Sequence, residues 1–300
     1  METNFDIIIV GSGPAGLTAG VYSARAGKKA LVIEGLVRGG AMTQTEHIEN
    51  YSGFKSTTGF ELAEAMHAQA ETLGVTFLAG DDVKEFDLEC EIKKVITEGG
   101  LTFSAKNIIL CMGTKSRRLG LPNEVDLVGM GVSYCATCDG FFFKNKPVVV
   151  AGGGDTALTD ALYLKDIASK VYLVHRRVNF RAQAALIEKL KDTDIELVMD
   201  STVSELMGEP LNTVVIKNVT SGEVRKIEAN GLFVAIGTDP NTSLLHGHVH
   251  LDDQGYIITD DNMQTNKQGV YAAGDIRMKS LRQIITACSD GAIAATNASL

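Results

Sequence analysis

Two cysteines separated by two residues lie in the string Cys135-Ala136-Thr137-Cys138-Asp139-Gly140. That spacing keeps both sulfurs within reach of each other, so one thiolate can attack a disulfide while the other resolves it. Half of a zinc site and a pair of inert buried thiols are the two other readings. A structural zinc site needs four ligands, usually in two close pairs. The remaining cysteines, Cys90, Cys111 and Cys288, are isolated singles, so no metal is expected. Asp139 stands next to the pair as a proton donor or acceptor, or as a plain turn residue before Gly140. Phe141, Phe142 and Phe143 follow. Consecutive aromatics read by default as core, and as an apolar docking patch for a protein disulfide where they are exposed.

Glycine-rich strings flank the pair. Gly11-Ser12-Gly13-Pro14-Ala15-Gly16 lies upstream and Gly152-Gly153-Gly154-Asp155-Thr156-Ala157 downstream. Each follows a β-branched run and opens a helical pattern. Such a loop lays backbone amides and a helix N-terminus against a pyrophosphate; the alternative is a strand–helix turn that only packs tightly. Glu34 ends the next strand of the first unit, where a carboxylate accepts hydrogen bonds from ribose hydroxyls. The equivalent place in the second unit holds His175, then Arg176 and Arg177, with Arg181 close behind. An acid suits a free 2′-hydroxyl and arginines suit a 2′-phosphate. FAD has no 2′-phosphate and NADPH has one, so the first site reads as FAD and the second as NADPH. A solvated strand end is the alternative for the arginines. One nucleotide delivering electrons, a second holding them and a dithiol passing them on would make an electron relay.

The elements that must position these groups come as a repeated pattern. Residues 6–10 read as a buried parallel strand, the Ala-rich stretch up to Ala26 as a helix ended by Gly27, 30–34 as a strand, and 61–72 as an amphipathic helix. Hairpin strands are expected at 92–95 and 101–103 around Gly99-Gly100, and another buried strand at 107–112. The pattern restarts with a strand at 146–151, a helix at 155–168 and a strand at 170–175. Alternating β-type runs fill 195–235, and a C-terminal helix is expected from Leu281. The expected fold is α/β, with two Rossmann-like nucleotide-binding domains of the three-layer ββα type, the second inserted into the first. Residues 1–117 and 248–300 make the discontinuous FAD domain, and 118–247 make the NADPH domain that carries the CxxC.

Composition agrees with a globular protein of 300 residues, 45% hydrophobic and 22% charged. A net charge of -9 opposes a nucleic-acid or anionic-membrane partner, since phosphate backbones need a basic face. The N-terminal apolar run is too short for a signal peptide and no stretch is long enough to span a membrane. An odd cysteine count without a regular framework fits a reducing compartment, so a cytoplasmic location is expected.

Together these residues resemble the low-molecular-weight, bacterial-type thioredoxin reductases of the class II pyridine nucleotide-disulfide oxidoreductases, along nearly the whole chain. The resemblance rests on the loop from Gly11, Gly39-Gly40, Ile48-Glu49-Asn50-Tyr51, and Cys135 to Gly140. It also rests on His175-Arg176-Arg177, Ile236-Gly237 with Pro240-Asn241-Thr242, and Ala272-Ala273-Gly274-Asp275 with Arg282-Gln283. It implies that Cys138 faces the flavin, that Cys135 attacks the partner's disulfide and that Asp139 is the acid. It implies cofactor contacts from Gly39, Gly40, Asn50, Val83, Gly113, Gly274, Asp275, Arg282, Gln283, Ile284 and Ile236, besides the two loops. A homodimer that serves thioredoxin or a thioredoxin-like protein is also implied. Ala41, Ser52 and Cys111-Met112 depart from the family's pattern without removing a catalytic group. The competing functions are a ferredoxin- or flavin-carrier-linked reductase, an FAD-dependent dithiol oxidase, and a non-catalytic NADPH-sensing protein. The first two should lack a working second nucleotide loop, which this chain retains; the intact CxxC opposes the third.

Overall fold

The computed structural model of the chain describes residues 3–35, 38–45 and 48–300. The N-terminal reading rests partly on Met1 and Glu2, which lie outside the described residues. The chain divides into two compact units, one of Met1–Lys115 with Asp239–Leu300 and one of Ser116–Thr238. In chain order the first stretch contains β1 (Asn4–Val10), α1 (Pro14–Arg25), β2 (Ala30–Gly35), α2 (Gly59–Thr72), β3 (Thr76–Ala79), β4 (Val83–Asp87), β5 (Lys93–Thr97), β6 (Thr102–Leu110) and β7 (Thr114–Ser116). The middle stretch contains β8 (Val132–Ser133), α3 (Ala136–Asp139), β9 (Pro147–Gly152), α4 (Asp155–Leu164), β10 (Lys170–Val174), α5 (Ala184–Lys191), β11 (Glu196–Val198), β12 (Ser201–Met207), β13 (Thr213–Asn218), β14 (Val224–Glu228) and β15 (Gly231–Ala235). β16 (Thr238–Pro240), β17 (Val270–Ala272) and α6 (Ile284–Ala298) complete the chain.

In the first unit β1 lies between β2 and β6, all parallel, with β3 on the far side of β2. The nine residues of β6 serve two partners on their other edge. Its first half pairs antiparallel with β5, which pairs with β4, and its second half pairs parallel with β17. Side chains alternate across a strand, so Ile7 and Ile9 enter one core cluster with Ala15, Ala19, Ala287 and Ala294. Ile8 and Val10 enter another with Phe86, Val95 and Phe103. Helices therefore cover one face and the meander the other. The second unit repeats the plan. Its parallel sheet runs β11-β10-β9-β15-β8, and β12-β13-β14 form the antiparallel meander. Leu158, Ala161 and Leu164 of α4 pack on one face, and Val214, Ile216 and Ile227 of the meander pack in the cluster on the other.

Several boundaries differ from the sequence reading, each for a physical reason. α2 starts at Gly59 rather than 61, because Thr58 caps it. The Thr58 hydroxyl accepts the Glu61 N–H at 3.1 Å, and the Glu61 carboxylate accepts the Thr58 N–H at 3.1 Å. The strands expected at 101–103 and 107–112 are one continuous β6, because β1 pairs with it from Ser104 to Leu110, across the gap between them. α6 begins at Ile284, with Gln283 as its cap, rather than at 281. The sequence reading contains no helix over α5, whose eight residues offer too few turns for a periodic signal. The compact units divide after Lys115 and Thr238, not after 117 and 247. Residues 239–247 pack with the first unit, where Leu245 is fully buried beside Val249 and Ile257. There Asn241 donates from its backbone to Gly113 O at 3.1 Å and from its side chain to Met112 O at 2.6 Å. Arg117 donates to Gly237 O at 3.0 Å within the second unit.

α1 and α6 approach closely because small residues face each other. A Cβ on Gly291 would stand 2.1 Å from the Ala15 carbonyl oxygen. Gly291→Ala gains at most about 1 kcal/mol of helix propensity, whereas overpacking costs about 1–3 kcal/mol. The variant is expected to unfold at lower urea concentration. An unchanged or higher midpoint would mean that the two helices separate without cost.

Candidate active site

The first glycine loop is built by two kinds of constraint. A Cβ on Gly11, whose φ is +108°, would meet the Cys111 carbonyl oxygen at 2.4 Å, and one on Gly16 would meet the Gly11 carbonyl. These positions are glycine so that the turn can fold against the end of β6. Gly13 has nothing within 4 Å of the equivalent point and caps α1 without a side chain. It leaves room for a ligand at the helix N-terminus, where the aligned peptide dipoles favour an anion. Gly39 donates to the buried Ser12 hydroxyl at 3.3 Å, and a Cβ on Gly40 would stand 3.1 Å from Gly13 Cα. The fold thus brings Gly11 to Gly16 and Gly39-Gly40 together. Asn50 donates to the Gln283 side chain at 3.0 Å across 233 residues of sequence. Val83 and Ile284 are half-buried at the starts of β4 and α6.

The carboxylates in this unit are the informative feature. Glu34 is buried at the end of β2, and neither of its oxygens has a hydrogen-bond partner. His67 Nε2 stands 3.3 Å from Oε1 and Arg38 Nε 3.7 Å from Oε2. Those are ion-pair separations without hydrogen-bond geometry, so the acceptor lone pairs stay open. Asp275 Oδ1 is likewise buried without a partner. Burial raises the Asp275 carboxyl above the usual range, against the pull of Lys279 and Arg282. Arg282 lies 4.1 Å over the Tyr256 ring and donates to the Asp275 carbonyl at 3.4 Å. An unsatisfied buried acceptor costs about 1–3 kcal/mol. Three such oxygens around an open, electropositive loop fit a ligand that brings hydroxyl donors and a pyrophosphate, as FAD does.

Sequence reasoning missed the group that holds this loop. Asp290 is buried on α6 and accepts from Gly274 N at 3.0 Å, Arg277 Nε at 2.9 Å and Lys279 Nζ at 2.7 Å. It ties the turn that presents Asp275 to the C-terminal helix. Its signal is a single charge in an otherwise uncharged helix, Ile284–Ala298. His67 was missed as well; its ring lies 4.0 Å from that of Phe77.

In the second unit a Cβ on Gly152 would stand 2.3 Å from the Ala235 carbonyl, while Gly154 has open space and caps α4. Asp155 accepts from Gln183, backbone at 2.7 Å and side chain at 3.0 Å, and so anchors the start of α5. Thr156 is exposed. His175 is buried under the loop, where a Cβ on Gly153 would fall 2.1 Å from its ring. The ring stacks on Phe180 at 5.4 Å, and Nε2 lies 3.1 Å from the Asn179 carbonyl. Burial, aided by the cations of Arg177, Arg176 and Arg181, keeps His175 below the ordinary histidine range. The three arginines are exposed, and Arg181 donates its N–H to Gly153 O at 2.7 Å. Ile236 is 36% exposed after β15.

Cys135 and Cys138 form a disulfide with Cα atoms 5.3 Å apart. Cys135 caps the single turn of α3, and Asp139 closes that turn with its N–H on the Cys135 carbonyl at 3.1 Å. Asp139 Oδ2 accepts the Ser133 hydroxyl at 2.6 Å, another residue that sequence reasoning missed. Among the described residues no cluster of three or more His, Cys, Asp or Glu could hold a metal ion. The three aromatics divide. Phe143 packs edge-on to Phe233 at 5.2 Å, whereas Phe141 and Phe142 are 58% and 38% exposed.

Asp290→Asn removes the charge that offsets Arg277 and Lys279. Breaking a buried ion pair on one side costs about 3–5 kcal/mol. The variant is expected to lose at least half of that by urea denaturation. A loss below about 1 kcal/mol, the value of an exposed pair, would show that the cations find other partners.

A family model described as pyridine nucleotide-disulphide oxidoreductase matches residues 5–291. The thioredoxin reductase of Peptoclostridium acidaminophilum is 46% identical over 307 residues, covering 99% of this chain and 97% of that protein. The thioredoxin reductase of Streptomyces coelicolor is 46% identical over 298 residues, covering 98% and 92%. The crystal structure of thioredoxin reductase from Streptococcus pyogenes superposes with a TM-score of 0.93 at 40% identity, covering 99% of this chain and 98% of the other. The chain belongs to the pyridine nucleotide-disulphide oxidoreductase family.

Proposed function

We propose that the chain reduces the disulfide of thioredoxin or a thioredoxin-like protein with electrons from NADPH, with FAD, when bound, as the two-electron carrier between the nicotinamide and the Cys135–Cys138 pair. The observation that carries this reading is the Cys135–Cys138 disulfide, in the same compact unit as a glycine loop flanked by arginines. Its full-length likeness to thioredoxin reductases supports it. The first unit, from both chain ends, is the FAD domain, and the inserted unit is the NADPH domain.

Each group then has a task. Glu34 accepts from ribose hydroxyls and Asp275 from the flavin's polyol chain. Gly13 leaves space for the pyrophosphate, and Gly39, Gly40, Asn50, Val83, Gly113, Gly274, Arg282, Gln283 and Ile284 complete the FAD site. Gly152, Gly154, Asp155, Thr156, His175 and Ile236 shape the NADPH site, and Arg176, Arg177 and Arg181 neutralise the 2′-phosphate. Cys135 attacks the partner disulfide, Cys138 resolves the mixed disulfide, and Asp139 supplies a proton to the departing sulfur. Phe141 and Phe142 give the partner an apolar landing surface. The working form is a homodimer in the cytoplasm. Three free thiols, one of them the exposed Cys90, fit a reducing compartment. Among the described residues no helix is long and apolar enough to cross a membrane. The carrier-linked and oxidase readings are not favoured, because the second glycine loop and its arginines are intact.

Anaerobic titration tests the whole assignment. NADPH should bleach the flavin absorbance rapidly and NADH should not; no bleaching by either would end it. Replacing Arg176 and Arg177 with Ala should weaken NADPH by about ten- to a hundredfold for each lost phosphate contact, with little change for NADH. An unaltered preference would make the cluster a solvated strand end.

The cysteines should fail differently. Cys138→Ser leaves Cys135 able to form a mixed disulfide that the pair cannot resolve. Mass spectrometry should find oxidised thioredoxin trapped on that variant. Adducts on Cys138 in the Cys135→Ser protein instead would reverse the two roles.

A further inference from the structure

Ser133 is 3% exposed and sits on β8, where its backbone is registered against Phe233 of β15. Its hydroxyl has two acceptors within reach of one proton: Asp139 Oδ2 at 2.6 Å and the Cys135 carbonyl at 3.3 Å. The same oxygen accepts the Cys135 N–H at 3.1 Å. A serine hydroxyl has one proton and two acceptor lone pairs. With Asp139 ionised, that proton points to the carboxylate. With Asp139 protonated, the carboxyl donates to Ser133 Oγ and the serine proton turns to the Cys135 carbonyl. In both states the serine proton is paired and the Cys135 N–H remains satisfied. At this depth an unpaired proton would carry the full cost of a buried donor.

We propose that Ser133 is a positioning residue for Asp139, a hydroxyl rotor that lets Asp139 hold or release a proton while the backbone of Cys135 stays fixed. This rests on the role given above to Asp139. In that role the Cys135 thiolate bonds to one partner sulfur as the partner's S–S bond breaks. The freed thiolate takes the proton of Asp139, leaving a carboxylate. Cys138 passes its proton to that carboxylate, and its sulfur closes on Cys135, releasing the second partner sulfur as a thiolate. The enzyme dithiol is oxidised by two electrons, the partner disulfide is reduced by two, and Asp139 ends protonated as it began. Ser133 turns once at each proton transfer.

The titratable groups around this turn are few. Cys135 and Cys138 share it. Tyr134 donates to Glu124 at 2.8 Å, with Arg118 also acting on Tyr134. α4, which packs against α3, carries Asp155, Asp160 and Tyr163, and Lys144 follows the three aromatics. β15 contributes no ionisable side chain.

The test is the pH profile of thioredoxin reduction by the full-length, FAD-loaded protein with saturating NADPH, using oxidised thioredoxin as the probe. Losing a donor to a carboxylate disfavours the ionised form. In Ser133→Ala the limb that depends on Asp139 should therefore move to higher pH by about one to two units. Ser133→Thr, which keeps the hydroxyl on a strand, should restore the wild-type profile. A Ser133→Ala profile that overlays wild type overturns the proposal, and so does a displaced Ser133→Thr profile. The Thr variant decides the matter if the Ala variant fails to retain flavin. Asp139→Asn separates the two ideas. If it leaves the profile intact, the role of Asp139 is what fails. If it abolishes the limb while Ser133→Ala does not move it, only the serine proposal falls.

Discussion

A strand can turn directly into the helix beside it only where the turn folds flat against the neighbouring strand. In this chain that happens twice, with the same contact. Gly11 lies against the Cys111 carbonyl past the end of β6, and Gly152 lies against the Ala235 carbonyl of β15; a Cβ would come to 2.4 Å and 2.3 Å. No side chain larger than hydrogen fits either place. Once the turn is pressed down, the middle residue, Gly13 or Gly154, is left facing open space at a helix N-terminus. The open helix N-termini are a consequence of that packing, and the parallel sheets on both sides are its precondition.

What differs between the two sites is what stands beside the loop. In the first unit, Glu34 is buried with its acceptors unused, and Asp275 adds another. Such groups are costly until donors reach them, which suits a ligand that brings hydroxyls. In the second unit the equivalent residue, His175, has turned inward and supports Gly153 from below. The cations beside it, Arg176, Arg177 and Arg181, are exposed, so any charge interaction they make is sensitive to salt. The equivalent position thus changes from a carboxylate with open acceptors to a packing element, and the charge moves to its exposed neighbours.

The redox pair sits on a single helical turn, too short to hold itself. Its geometry comes from the strand that precedes it. Ser133 is fixed in the sheet by its pairing with Phe233, and its hydroxyl meets both the Cys135 backbone and the Asp139 carboxylate. Glu124 steadies the approach, accepting Tyr134 OH and the backbone amides of Leu119 and Gly120. The exposed Phe141 and Phe142 follow immediately, while Phe143 is drawn into the core by Phe233.

The sequence by itself determined whatever depends on neighbours within a few residues. The βαβ repeats, the two glycine turns, the acid at 34 against the cations after 175, and the cysteine spacing are all local signals of period or residue type. Only the tertiary structure decided which of the three phenylalanines packs against the core, that β6 is one strand whose outer edge is shared by β5 and β17, and that residues 239–247 pack with the first unit. It also decided the partners of the functional groups. Asn50 meets Gln283 across 233 residues, His67 of α2 reaches Glu34 at the end of β2, and Asp290 gathers Gly274, Arg277 and Lys279. Such contacts arise where packed elements bring distant segments together. No local spacing encodes them, because each side of the contact looks like an ordinary polar residue until the fold removes it from water.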